Sequence, residues 1–184
     1  MGVARAPAAS ASRRGRSSRT APDRPTWAGR LCPAVVAALR AAQSAAFRVV
    51  HFSVQDNHLH LLVEADDSAA LRKGARSLGV RLARAINRAC GRTGRVLDDR
   101  YHTRALRTPR EVRFALGYVL FNFKKHQVRV PTRLDPCSSA PWCDGLRARS
   151  AVELEGAPVV VPHTWLARVG WRRHGLLSLD EHPA

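Results

Sequence analysis

FRVVHFSVQDNHLHLLVE, residues 47–64, is the stretch on which the fold turns. Val50, Phe52 and Val54 alternate with Val49, His51 and Ser53, and Leu59, Leu61 and Val63 alternate with His58, His60 and Leu62. A period of two sends successive side chains to opposite faces of a strand, so each run predicts one half-buried strand. Gln55, Asp56 and Asn57 between the runs form a short polar connection with Asx-type turn formers, which predicts an antiparallel hairpin. His58 and His60 then project together from one face while Leu59, Leu61 and Val63 turn to the core, and His51 lies near them on the neighbouring strand.

Outward from the hairpin the period becomes helical. Val35, Val36 and Leu39 among alanines predict a short helix over Pro33 to Ala45. On the other side, Ser68 is placed to cap a long helix reaching Cys90, with Leu71, Leu78, Leu82 and Ile86 on its apolar side and Gly91 as its stop. Arg72, Arg76, Arg81, Arg84 and Arg88 occupy the opposite side with no Glu among them, so intrahelical ion pairs do not explain the stripe. A solvated face and a phosphate-binding face are both open, with Arg81, Arg84 and Arg88 as the candidate DNA contacts. Strand character is expected at Arg95 to Leu97 and Tyr101 to Leu106, with a kink at Asp98 and Asp99. Thr108, Pro109 and Glu111 then spell a capping box, and the helix they start should run to about His126.

Net charge is +17, from 31 basic and 14 acidic side chains among 184 residues. Such a charge opposes compaction unless a polyanion neutralises it, which makes nucleic acid the default partner, although an Arg-rich composition alone gives the same sum. Four cysteines without a CxxC pair suggest neither a zinc site nor a disulfide framework. No apolar run approaches the roughly 20 residues of a membrane span, and no secretory leader is recognisable, so a cytoplasmic protein without membrane contact is expected. Residues 1–29 are Ala, Arg, Ser and Pro with almost no large aliphatics, and read as a disordered basic arm. Residues 30–130 hold the periodic elements, and residues 131–184 read as an irregular C-terminal tail with one short helix from Thr164. Trp142, Trp165 and Trp171 in that tail are expected to anchor it to the core, with base stacking as the alternative.

Two imidazoles on one strand face make a platform for a divalent cation, but a His-x-His pair is weak evidence until further ligands join it. The Thr108-capped helix supplies candidates, since Tyr118, Asn122 and Lys125 fall on one stripe beside the apolar Val112, Leu116, Val119 and Phe123. Tyr118 as a boundary aromatic and Asn122 as a surface residue is the plain alternative, though Asn inside a helix carries a propensity cost.

The segment His58-Leu59-His60-Leu61-Leu62-Val63-Glu64 resembles the histidine strand of HUH endonucleases. Asp99-Arg100-Tyr101-His102 and Tyr118-Val119-Leu120-Phe121-Asn122 resemble later blocks of the IS200-like and REP-associated tyrosine transposases. The resemblance implies an α+β fold, a ferredoxin-like or RRM-like antiparallel sheet with two long helices packed on one face and DNA on the other. It implies metal-dependent cleavage and rejoining of single-stranded or hairpin DNA through a 5′-phosphotyrosine. Carried over by residue, Tyr118 is the nucleophile, and His58, His60 and Asn122 hold Mg²⁺ or Mn²⁺. Lys125 is an accessory cation near the phenol, and Glu64, on the histidine face, an accessory group. Tyr101 is the competing tyrosine, assigned to packing or substrate contact.

One departure stands out. Relatives open with a central strand, and no run of alternating β-branched or aromatic residues precedes Trp27, so the first strand is expected to be missing and the chain inactive or poorly soluble as written. A non-catalytic DNA-binding remnant is the rival reading. An RNA-binding RRM-like module is a second, opposed by histidines where aromatics belong. Oligomeric state stays open, a homodimer included.

Overall fold

The computed structural model describes residues 3–6, 27–55, 58–97, 103–126, 134–147 and 156–181, with 3–6, 27–30, 125 and 126 described by their backbone. Chain order is β1 (Val3–Ala6), α1 (Trp27–Ala42), β2 (Phe47–Val54), β3 (Leu59–Ala65), α2 (Ser68–Ala89), β4 (Arg104–Leu106) and α3 (Pro109–Phe121). A 3-10 helix over Asn122–His126 follows α3, then a short one at Ala140–Trp142, α4 (Trp165–Arg168) and a last 3-10 helix at Gly170–His174. The four strands lie in the order β2-β3-β1-β4, with each neighbouring pair antiparallel. That order, with α1 after β1 and α2 after β3, is the ferredoxin-like arrangement.

The first strand is therefore present, against expectation. Val3–Ala6 pairs with Glu64 to Leu61 of β3 on one side and, through Val3 to Arg5, with Leu106 to Arg104 of β4 on the other. A ladder is made by main-chain N–H and C=O groups, and with a partner on each edge four residues of modest β-propensity suffice. The expectation of inactivity rested on that missing strand and loses its ground. Of the segment expected to be a disordered arm, residues 3–6 are strand and 27–29 belong to α1, while the remainder lies outside the described residues.

Other boundaries moved for local reasons. Helix α1 begins at Trp27, a turn and a half before Pro33, which costs one intrahelical hydrogen bond at the proline. Asp67, not Ser68, caps α2, its carboxylate accepting from Ala70 N at 2.7 Å. Residues 95–97 form no strand; Val96 is buried there instead as part of the core. The capping box at Thr108 and Glu111 is formed in both directions, and α3 tightens to 3-10 winding at Asn122.

Helices α1 and α2 pack on each other and on one face of the sheet. Leu31, Val35 and Leu39 of α1 and Leu78, Leu82 and Ile86 of α2 meet Phe47, Val49, Phe52, Val54, Leu61 and Val63 in one aliphatic core. The approach of α2 to β2 is close: a Cβ on Gly74 would lie 2.1 Å from the Phe47 ring, so only glycine fits. Val49 and Phe52 share this face because the register slips between Val49 and His51, a β-bulge at Val50 that breaks the simple alternation.

The second face is covered as well, which corrects the expectation of an open DNA-binding sheet. Leu62 and Leu106 lie under Val112, Leu116 and Leu120 of α3, together with Ala140, Cys143, Leu146, Trp171 and Leu177 of the C-terminal segment. That segment also occupies the outer edge of β2, where Val54 N donates to Cys137 O at 2.9 Å and Ser139 N to Phe52 O at 2.8 Å. Backbone donors and acceptors of an edge strand are thereby used up.

Candidate active site

Strand β3 keeps strict alternation, so His58, just before its first residue, and His60, Leu62 and Glu64 all face α3. The rings of His58 and His60 are 4.6 Å apart at 79°. Tyr118, on the last full turns of α3, brings its ring to 5.0 Å from that of His60, at 78°. Asn122, one turn on at the α-to-3-10 junction, reaches His58 Nε2 with its amide at 3.5 Å. Residues 64 positions apart in sequence thus close one cluster. His60 and Asn122 are buried, whereas His58 and Tyr118 are half-buried and form its accessible rim. Asn122 ends the α-helix, so its place carries a smaller propensity cost than a mid-helix site would.

The donors present suit a borderline divalent cation. Two imidazoles and a carboxamide, whose oxygen and nitrogen exchange by a simple flip, converge on one another. Among the described residues no group of three or more His, Cys, Asp or Glu side chains gathers anywhere, so a cation here would rely on the amide as third ligand.

Glu64 is turned to another task. Its carboxylate accepts from His163 N at 2.7 Å, from Thr164 N at 2.9 Å and from Thr164 Oγ1 at 2.5 Å, with Arg48 Nε at 3.5 Å. Burial pushes its carboxyl upward, but the donors from Thr164 and His163 and the Arg48 charge outweigh that and hold it below the usual carboxylate range. Both oxygens are thus engaged in pinning the C-terminal segment. The side chain of Lys125, and Tyr101 and His102, lie outside the described residues. Arg81, Arg84 and Arg88 are exposed on α2, across the sheet from the cluster.

No protein-family model matches the chain, and no curated protein does. Among solved structures it is similar to a REP-associated tyrosine transposase bound to a REP hairpin, at 19% identity over 76% of each chain and a TM-score of 0.48. The likeness concerns the fold and carries no argument about chemistry.

Several residues around the cluster make contacts that the sequence did not announce. His51 Nδ1 lies 3.0 Å from Ser139 Oγ, which also receives Phe52 N at 3.0 Å, and burial depresses the His51 pKa to about 4, partly offset by Asp144. The neutral ring thus clasps the C-terminal segment to β2. Lys124, buried beside the Phe121 ring, donates to the carbonyls of Leu179 and Glu181. Arg113 binds Gly175 O at 2.8 Å and Glu181 at 2.6 Å. Trp171 is buried and Trp142 half-buried, as anchors should be, while Trp165 stays 48% exposed beneath Arg173. None of these contacts has a local sequence signal, because each joins positions far apart. Phe114 and Arg110 are different, since they stand four and eight residues before Tyr118 on its own helix. Spacing could have found them.

Proposed function

We propose that this chain cleaves and rejoins single-stranded DNA at hairpin-forming sites, through a covalent 5′-phosphotyrosine on Tyr118. The convergence of His58, His60, Tyr118 and Asn122 from a strand and a distant helix carries the reading. His58, His60 and Asn122 would hold a divalent cation such as Mg²⁺ or Mn²⁺, which when bound supplies Lewis-acid polarisation of the scissile phosphate. Tyr118 stands at the accessible rim, where its phenol oxygen can meet phosphorus in line with the leaving oxygen. A new bond forms between that oxygen and phosphorus, the bond from phosphorus to the 3′-oxygen breaks, and the phenol proton leaves as the 3′-oxygen gains one. Because the phosphodiester is conserved as a phosphotyrosine, attack by a 3′-hydroxyl reverses the step and joins strands without a nucleotide cofactor. Lys125 is assigned to stabilise the phenolate as it forms.

The exposed arginines of α2 support a second reading, DNA binding without catalysis, since Arg81, Arg84 and Arg88 lie remote from the cluster and make no ion pair among the described residues. An end-labelled hairpin with single-stranded flanks separates the two. Cleavage that needs Mg²⁺ or Mn²⁺ and stops with chelator is the expected result. Tight binding with no cleavage in either metal would leave the binding protein.

A further inference from the structure

Helix α3 places Arg110, Phe114, Tyr118 and Asn122 at successive intervals of four residues. Each interval advances about 6 Å along the axis and turns the face by about 40°, so each side chain neighbours the next on one slowly winding stripe. Asn122 and Tyr118 end the stripe in the histidine cluster. Phe114, one turn back, is 57% exposed, the most exposed large apolar side chain among the described residues. Its helix does not need it for packing, since Val112, Ala115, Leu116, Val119 and Leu120 fill the buried face. Arg110 follows, exposed, with its guanidinium carbon 5.5 Å from the Phe114 ring centre and no ion pair among the described residues.

An exposed aromatic side chain with a guanidinium over one side of its ring, one helical turn from a candidate phosphoryl-transfer tyrosine, suits one ligand chemistry, an unpaired base attached to a phosphate. We propose that Phe114 stacks on the base of a nucleotide next to the scissile phosphate and that Arg110 pairs with the phosphate attached to it. The inference rests on the reading of Tyr118 given above and adds how the flanking strand is held. Stacking of this kind tolerates any base, since each has a π-face, so the pair fixes the position of the strand more than its sequence. A net charge of +17 favours the same polyanion over an apolar protein partner.

The full chain carrying Tyr118→Phe, which cannot cleave on this reading, serves for binding measurements with a hairpin bearing single-stranded flanks. Phe114→Ala should weaken that complex by roughly tenfold, and Phe114→Trp should restore it. Arg110→Gln should lower the slope of log affinity against log salt by about 0.7, the share of one phosphate in a single strand. A scan of abasic positions along both flanks should find one at which wild-type-like and Phe114→Ala proteins bind equally, because the stacked base is already gone. Thermal unfolding should be unchanged by Phe114→Ala, which separates a lost contact from a weakened fold. Equal affinity of Phe114→Ala for every flanked hairpin, beside normal cleavage by the unmodified chain, overturns this inference alone. A loss that persists at every abasic position, or a dimer that dissociates in Phe114→Ala, overturns it in favour of a structural or self-association role. Absence of any hairpin binding or cleavage by the unmodified chain overturns the broader reading and this inference with it.

Discussion

On the helix-backed face of the sheet the strands present Val49, Phe52, Val54, Leu61 and Val63 to two helices, and that core is apolar. On the other face the same strands present His51, His60 and Glu64 beside Leu62, and α3 with the C-terminal segment closes over them. The first face answers to the hydrophobic effect alone. The second buries polar groups that cost stability unless each finds a partner, and it divides them by purpose. Glu64, His51, Lys124 and Arg113 bind the C-terminal segment, whereas the rings of His58, His60 and Tyr118 and the amide of Asn122 meet one another. The meeting of two imidazoles, a phenol and an amide from a strand and a distant helix is what the proposed chemistry rests on.

The sharpest way to break this contrast is to change residues on each face and compare activity with stability. Replacing His58 and His60 together by Ala should abolish Mn²⁺-stimulated hairpin cleavage, because one amide cannot hold a divalent ion, while thermal unfolding changes little. Stimulated cleavage retained in that variant would remove the cluster's assigned role. Phe52→Ala should do the reverse, lowering stability by about 3–5 kcal/mol in denaturant titration through loss of a fully buried ring, with the chemistry per folded molecule unaltered.

Smaller effects test the clasps. Glu64→Gln should cost about 2 kcal/mol by exchanging a charged acceptor for a neutral one. Since the Glu64 pKa is depressed in the fold, its contribution is fully present above the unfolded value near 4.5 and is lost as pH falls through the folded value, so Glu64→Gln should flatten the acid limb of the stability profile. His51 adds a second limb at higher pH. Its folded pKa of about 4 lies below the ordinary 6.5, so the unfolded chain binds the extra proton, and stability should fall as pH drops from 6.5 towards 4. His51→Asn should remove that decline, and a profile unchanged by it would place the clasp elsewhere. The smallest effect expected is that of Thr108→Ala, about 1 kcal/mol for the loss of one cap, measured by thermal unfolding.

What could be read in advance follows the range of the interactions. The alternation of β3 and the capping box of α3 are local, and both stand where the sequence puts them. The pairing of Val3–Ala6 is not local, since its stability comes from β3 and β4 on either side, and a run of Val, Ala, Arg and Ala gives little sign of it. The bulge at Val50 is likewise a matter of register against β3. The residue types of the cluster could be picked out from one strand and one helix, but their meeting depends on how α3 lies under the sheet. Glu64 stands on the expected face, but its bonds to Thr164 are not legible in the sequence, because Thr164 is 100 positions away and nothing near Glu64 announces it. Phe114 shares the four-residue spacing of Tyr118 and Asn122, but an exposed ring leaves no mark in a pattern of polar residues.

The central claim is that Tyr118 is the attacking group, and covalent trapping tests it most directly. The chain is incubated with a labelled hairpin and Mn²⁺, denatured, digested and examined by mass spectrometry for a nucleotide-bearing peptide. The account predicts a 5′-linked nucleotide on Tyr118 and none in Tyr118→Phe, which still binds the hairpin within a few-fold of the unaltered chain. A nucleotide on Tyr101, or undiminished adduct in Tyr118→Phe, would contradict it.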